Sequence, residues 1–249
     1  MFDTPAFNAS LFFPRPDRSP PPPGARDGVV EVAGARLHLR LYDAPAAKRA
    51  VLLFHGNGEV VADHDGLAPR YLERAGSALA VVDYRGYGAS TGTPTLRACL
   101  EDAPRVLEAT LAQLGGRPLV VMGRSLGGAC AAELCQQRRP GVVGYVFESA
   151  AADLQGVIRR RGLTLERPLS EAELAAFDPL RKLAKCTTPA LVLHGEADQL
   201  IPVREAQLSF EALRGAAPTL VRIAGHGHND LSLAGEYWDA LARFVASLR

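Results

Sequence analysis

Five short apolar runs punctuate this chain, each ending in polar residues or glycine: Ala50–Phe54, Ala78–Val82, Leu119–Met122, Val142–Phe147 and Ala190–Leu193. An unbroken apolar run of this length suits a strand buried on both faces. Stretches of helical character separate the runs. One ends at Ala75 before Gly76, one covers Thr95 to Leu114 before Gly115-Gly116, and one spans about Leu126 to Gln137. Further on, Arg204–Arg214 is helical, Thr219–Ile223 is the last strand and Glu236–Leu248 closes the chain. Strands and helices alternating at this spacing require a mostly parallel sheet covered by helices on both faces. Val29–Val32 and Arg36–Tyr42 alternate polar with apolar residues around Ala33-Gly34-Ala35, and so predict an antiparallel hairpin on the sheet edge, closed by Pro45. The expected class is therefore α/β.

At 249 residues the chain suits one large domain, here 29–249. Residues 1–28 hold Phe12-Phe13-Pro14 and the run Pro20-Pro21-Pro22-Pro23, which can join neither a helix nor a central strand, so an extended arm is expected there. Residues 149–188 break the strand–helix rhythm and predict a short cap inserted after the sixth strand. Within it, Arg159-Arg160-Arg161 reads as a solvated helix face. A net charge of +1 argues against a nucleic-acid partner. Cys99, Cys130, Cys135 and Cys186 lack metal-ligand spacing and read as reduced thiols. The first residues lack the charged and apolar regions of a signal peptide, and no run approaches the roughly 18 apolar residues of a membrane span. A cytoplasmic protein is expected; the oligomeric state is left open.

In such sheets function collects beyond the carboxyl ends of the strands, and the segment with the most chemistry is Gly123-Arg124-Ser125-Leu126-Gly127. A buried strand precedes it and small residues of a helix follow it, which is the pattern of a nucleophile elbow. Ser125 would sit in a strained turn with Oγ exposed, and Gly123 and Gly127 would give the room that any Cβ would fill. The plainer alternative is a serine that caps a helix.

A serine nucleophile needs a base, and the base needs a group to orient it. Of the six histidines, His226 and His228 lie in a loop after the last strand. His228, followed by Asn229-Asp230, is the candidate base and His226 the alternative. Asp198, four residues past its strand in His194-Gly195-Glu196-Ala197-Asp198, is the candidate acid, with Glu196 and Asp153 as rivals. The order Ser125, Asp198, His228 suits completion of an elbow by later strands. Two backbone N–H groups are needed for the developing oxyanion. Leu126 would supply one, and the loop His55-Gly56-Asn57-Gly58-Glu59 the other, through Asn57 or, next, Gly58. Gly58, Glu59 and Arg124 are candidate substrate contacts; Glu59 and Arg124 also have the alternative of an internal ion pair.

Across about residues 29–249 these segments resemble the α/β-hydrolase superfamily, and within it the small serine hydrolases that include the BEM46-like proteins. The likeness rests on His55-Gly56-Asn57-Gly58, Asp83-Tyr84-Arg85-Gly86-Tyr87-Gly88-Ala89-Ser90, the elbow, His194-Gly195-Glu196-Ala197-Asp198 and Gly227-His228-Asn229-Asp230. It implies Ser125 as nucleophile, Asp198 as acid and His228 as base, without a metal or organic cofactor. The partner would be a small-molecule acyl substrate, an ester or thioester. An amidase or peptidase with the same triad, or a non-catalytic binding protein, are the alternatives.

Overall fold

Alternate residues of the apolar runs enter opposite faces of one eight-stranded sheet, whose computed structural model describes residue 2, residues 4–160, residue 162 and residues 167–248. Chain order runs through helix α1 (Pro5–Leu11), strands β1 (Ala25–Val32), β2 (Ala35–Tyr42) and β3 (Arg49–Phe54), helix α2 (Ala68–Ala75) and strand β4 (Ser77–Val82). Next come α3 (Leu96–Gln113), β5 (Leu119–Arg124), α4 (Gly128–Cys135) and β6 (Val142–Glu148). Three helices follow, α5 (Leu154–Arg160), α6 (Glu171–Phe177) and α7 (Pro179–Leu183). The chain ends with β7 (Ala190–Gly195), α8 (Arg204–Ala212), β8 (Thr219–Ile223) and α9 (Gly235–Ser247).

The spatial order is β1-β2-β4-β3-β5-β6-β7-β8. β1, β2 and β4 pair antiparallel, and every pairing from β4 to β8 is parallel. Leu52, Phe54, Val121 and Phe147 pack with α3, α4 and the helices before β7 in one buried cluster. Val51, Leu53, Val120, Met122 and Val146 pack with α2 and α9 in a second. Each such side chain contributes roughly 1.5–3 kcal/mol on burial, so the sheet is held from both sides. Among the described residues, no helix is long and apolar enough to cross a membrane.

Several boundaries differ from the sequence expectation for identifiable reasons. Pairing of β1 with β2 continues to Ala25 opposite Tyr42, four residues before Val29. The helix expected after Glu59 is divided: a 3-10 turn covers Val61–His64, and α2 begins at Ala68, with Pro69 in its first turn. The N-terminal arm is not wholly extended. Thr4 Oγ1 accepts the Phe7 N–H at 3.3 Å and caps α1, a start signal that the proline content of the arm obscures. Phe2, Phe7, Leu11 and Phe12 are all buried in the first cluster.

In the segment between β6 and β7, Ser170 and Glu173 form a reciprocal capping box on α6, and Asp178 caps α7. Of the arginine triplet, Arg159 and Arg160 are both exposed; Arg159 lies 3.0 Å from Asp153 and Arg160 reaches in to pair with the buried Glu205, while Arg161 lies outside the described residues.

Candidate active site

The turn after β5 brings the backbone unusually close to its neighbours. A Cβ on Gly123 would meet the carbonyl of Gly127, and one on Gly127 would meet the carbonyl of Phe54 at the end of β3. Between these glycines, Ser125 adopts φ +51°, a left-handed conformation that costs a non-glycine residue about 1–3 kcal/mol. A serine merely capping α4 would take an extended backbone instead. The strain lifts Oγ beyond the carboxyl end of the sheet.

The loops after β7 and β8 converge on it. His228 Nε2 lies 2.9 Å from Ser125 Oγ, and His228 Nδ1 lies 2.7 Å from Asp198 Oδ2. An Nδ1–H donating to the carboxylate leaves Nε2 as the acceptor facing the serine hydroxyl. Asp198 is fixed in turn. Its Oδ1 accepts the N–H groups of Leu200 at 2.9 Å and Ile201 at 2.8 Å, and its Oδ2 lies 3.4 Å from His194 Nε2. Burial alone would push its carboxyl up, but His194, His228 and the Ile201 N–H outweigh burial and hold it well below the usual carboxylate range. Asp198 is therefore an anion at neutral pH, placed to accept the His228 Nδ1–H.

The rivals lie elsewhere. His226 Nδ1 donates to the Ala224 carbonyl at 3.0 Å, in its own loop. Glu196 is exposed, 3.9 Å from Arg222. Asp153 faces Arg159 and, at 3.6 Å, Arg204.

The loop after β3 lies beside the elbow, because β3 and β5 are adjacent parallel strands with Phe54 opposite Gly123. Gly58 has φ +79°, where glycine carries no steric cost. Glu59 curls back to accept the Gly56 N–H at 2.8 Å and forms an ion pair with Arg124. Burial raises the Glu59 carboxyl, but His64 and then Arg124 more than offset this and hold it well below the ordinary range. The Arg124 guanidinium also donates to the His228 carbonyl at 3.0 Å and Asn229 Oδ1 at 2.9 Å, and lies 3.2 Å from Glu148. One cation thus ties the loops after β3 and β8 to the end of β6. Glu59 and Arg124 thus form the internal ion pair that the sequence offered beside the reading of substrate contacts. The network lines a cavity of about 200 Å³ with His64, Tyr71, Tyr237 and Trp238, a cavity that Ser125 and His228 do not line.

Sequence reasoning missed what the Asn57 side chain does. Asn57 Nδ2 donates to the Leu11 carbonyl at 2.6 Å, and Oδ1 accepts from Phe13 N–H at 3.0 Å and Tyr87 hydroxyl at 2.6 Å. These partners are more than 25 residues away, so no local pattern signals them. Among the described residues, no group of three His, Cys, Asp or Glu side chains is arranged to hold a metal ion.

Comparison with known proteins agrees with this architecture. The family model described as serine aminopeptidase, S33, matches residues 45–177. Human alpha/beta hydrolase domain-containing protein 17B is 29% identical over 211 residues, covering 82% of this chain and 68% of that protein. Mouse protein 17C is 27% identical over 211 residues, with 82% and 61% covered. Among solved structures, a Pyrococcus furiosus esterase, Pf2001, superposes with a TM-score of 0.74 at 16% identity, covering 95% of this chain and 97% of that one. A hydrolase from Pseudomonas aeruginosa superposes with a TM-score of 0.69 at 21% identity, covering 89% and 98%. At such identities the structures share the fold. The family match spans more than half of the chain, so this protein is a hydrolase of the α/β-hydrolase superfamily and belongs to its serine aminopeptidase S33 family.

Proposed function

We propose that the protein is a serine hydrolase cleaving a small or acyl ester or thioester through an acyl-enzyme on Ser125. The observation that carries this reading is the unbroken relay from Ser125 Oγ through His228 to Asp198, with contacts of 2.9 and 2.7 Å on a serine at φ +51°. Ser125 Oγ attacks the acyl carbon as His228 Nε2 takes its proton, and the charge on the carbonyl oxygen is met by the N–H groups of Leu126 and Asn57. The C–O or C–S bond then breaks, and His228 returns its proton to the leaving group. Water, deprotonated by the same nitrogen, attacks the acyl-enzyme and frees the acid. Asp198 stays ionised throughout and stabilises the transient imidazolium.

The family description, serine aminopeptidase, favours a second reading in which the same relay cleaves an amide beside a free amine. A purely binding role has no use for three converging groups on a strained serine. The helices of residues 149–188 act as a cap in this reading, with residues 29–249 as the catalytic domain. Four buried thiols, none in a disulfide, suit a cytoplasmic setting.

A fluorophosphonate probe is expected to label the wild type and to leave Ser125→Ala unlabelled. Turnover of p-nitrophenyl esters of rising chain length, beside acyl-CoA and aminoacyl amides, then separates the two readings. An unlabelled, folded wild type refutes both.

A further inference from the structure

The proline-rich arm is the part of the chain that the proposed chemistry does not use, yet its contacts converge on the loop that supplies Asn57. The Asn57 carboxamide grips the arm backbone at two points two residues apart, donating to the Leu11 carbonyl and accepting the Phe13 N–H. The carboxamide can do both because its NH2 donates while its oxygen accepts. Arg15 adds a second grip on the same loop, with Nε donating to the Gly58 carbonyl at 2.8 Å and the guanidinium pairing with Asp63. The arm is itself fastened further on. The Gly88 N–H donates to the Arg15 carbonyl at 2.9 Å, and the Asp17 N–H donates to the Gly88 carbonyl at 3.2 Å. At its other end the Phe2 ring lies 4.5 Å from that of Phe177 of α6, and Asn8 Oδ1 accepts the Leu96 N–H at 2.9 Å.

The gripped loop needs such support. Residues 56 to 59 include two glycines, and the bond that closes their turn, from the Glu59 N–H to the Gly56 carbonyl, is long at 3.3 Å; the body of the protein holds them through Glu59 on the Gly56 N–H and on Arg124, through His55 Nδ1 on the Gly56 carbonyl, and through the Tyr87 hydroxyl on Asn57 Oδ1. An oxyanion donor acts only when it is held within a few tenths of an ångström of its place before the reaction begins. We infer that residues 11–15 are a clasp on the oxyanion loop, and that Asn57, through its side chain, and Arg15 are positioning residues for the Asn57 N–H. The clasp rests on the reading of that N–H as an oxyanion donor. It makes the arm part of the catalytic apparatus although it touches no reacting atom.

The test uses the full chain with Asn57→Asp, Arg15→Ala and the double variant. Asn57→Asp keeps the size and the acceptor but loses the donor to Leu11. Arg15 is 43% exposed at its side chain, so its removal leaves the core intact. On p-nitrophenyl butyrate, each variant is expected to lose about tenfold to a hundredfold in kcat while KM stays within about twofold, because loss of one oxyanion donor costs about a hundredfold or more. Because both act through one loop, the double variant loses about as much as the worse single one. Ser125 labelling by a fluorophosphonate slows in parallel, and amide hydrogen exchange of residues 56–59 quickens; a purely structural role would lower the melting temperature without this kcat-selective loss. If wild type is active and labelled but both single variants keep kcat within twofold, the clasp is overturned and the serine mechanism stands. If folded wild type is neither active nor labelled, the mechanism falls and the clasp falls with it.

Discussion

Arg124 offers the sharpest test of how the loops around Ser125 are held. Its guanidinium stands between Glu59 and Glu148, the latter 5% exposed, and also donates to the His228 carbonyl and Asn229. Arg124→Met keeps the length of the chain but leaves two mostly buried carboxylates facing each other with no cation between them. Breaking a buried ion pair from one side costs about 3–5 kcal/mol. For a chain of this size that corresponds to a fall in melting temperature of about 6–20 °C. The pH dependence carries a sign. The folded-state Glu59 carboxyl lies below its ordinary value of 4.5, so its contribution is present above that value and is lost as pH falls through the folded value. In Arg124→Met the depression shrinks, the carboxyl takes up a proton at higher pH, and the unpaired charge is relieved. The stability gap between wild type and variant should therefore be widest near pH 7 and narrow only as pH falls below the ordinary carboxylate value of 4.5. Urea unfolding of both proteins across that range measures it. A gap below about 1 kcal/mol near pH 7, or one that widens on acidification, refutes the account. Arg124→Lys should recover less than half of the loss, since a single ammonium cannot reach four acceptors at once.

His228→Ala should lose nearly all ester turnover while His226→Ala keeps most of it, measured as kcat/KM on a p-nitrophenyl ester; the reverse would transfer the base to His226. Ser125→Gly should remove activity yet raise thermal stability, because relief of about 1–3 kcal/mol of backbone strain exceeds the roughly 0.5–1 kcal/mol entropic cost of glycine. A lower melting temperature for that variant would mean the turn stores no strain.

Much of this molecule was legible in its residues because the strongest signals are local. The apolar runs needed only their own composition to mark the buried strands, and Gly123-Arg124-Ser125-Leu126-Gly127 announced a turn in which a Cβ on either glycine would strike a backbone carbonyl. Asp198 and His228 could be chosen because each follows a strand end, and parallel strands deliver their ends to one side. What escaped depends on partners distant in sequence. The Arg124 network joins residues up to 105 positions apart, and the Asn57 grip on the arm spans 44 and 46. Prolines hid α1, although Thr4-Pro5 is an ordinary helix start. Gly66 and Pro69 divided what periodicity read as one helix, because the backbone near them does not follow side-chain pattern.

The two buried clusters carry a consequence of their own. Val51 and Leu53 belong to one, Leu52 and Phe54 to the other, so neighbouring residues of a single strand report to different compartments. Packing forces are short in range, and the sheet backbone stands between the compartments as a wall. A change of volume at Leu53 is felt by α2 and α9, one at Leu52 by α3 and α4. Each compartment can therefore drift and repack separately, so that in this fold adjacent positions along a strand evolve as strangers while residues on distant helices evolve as partners.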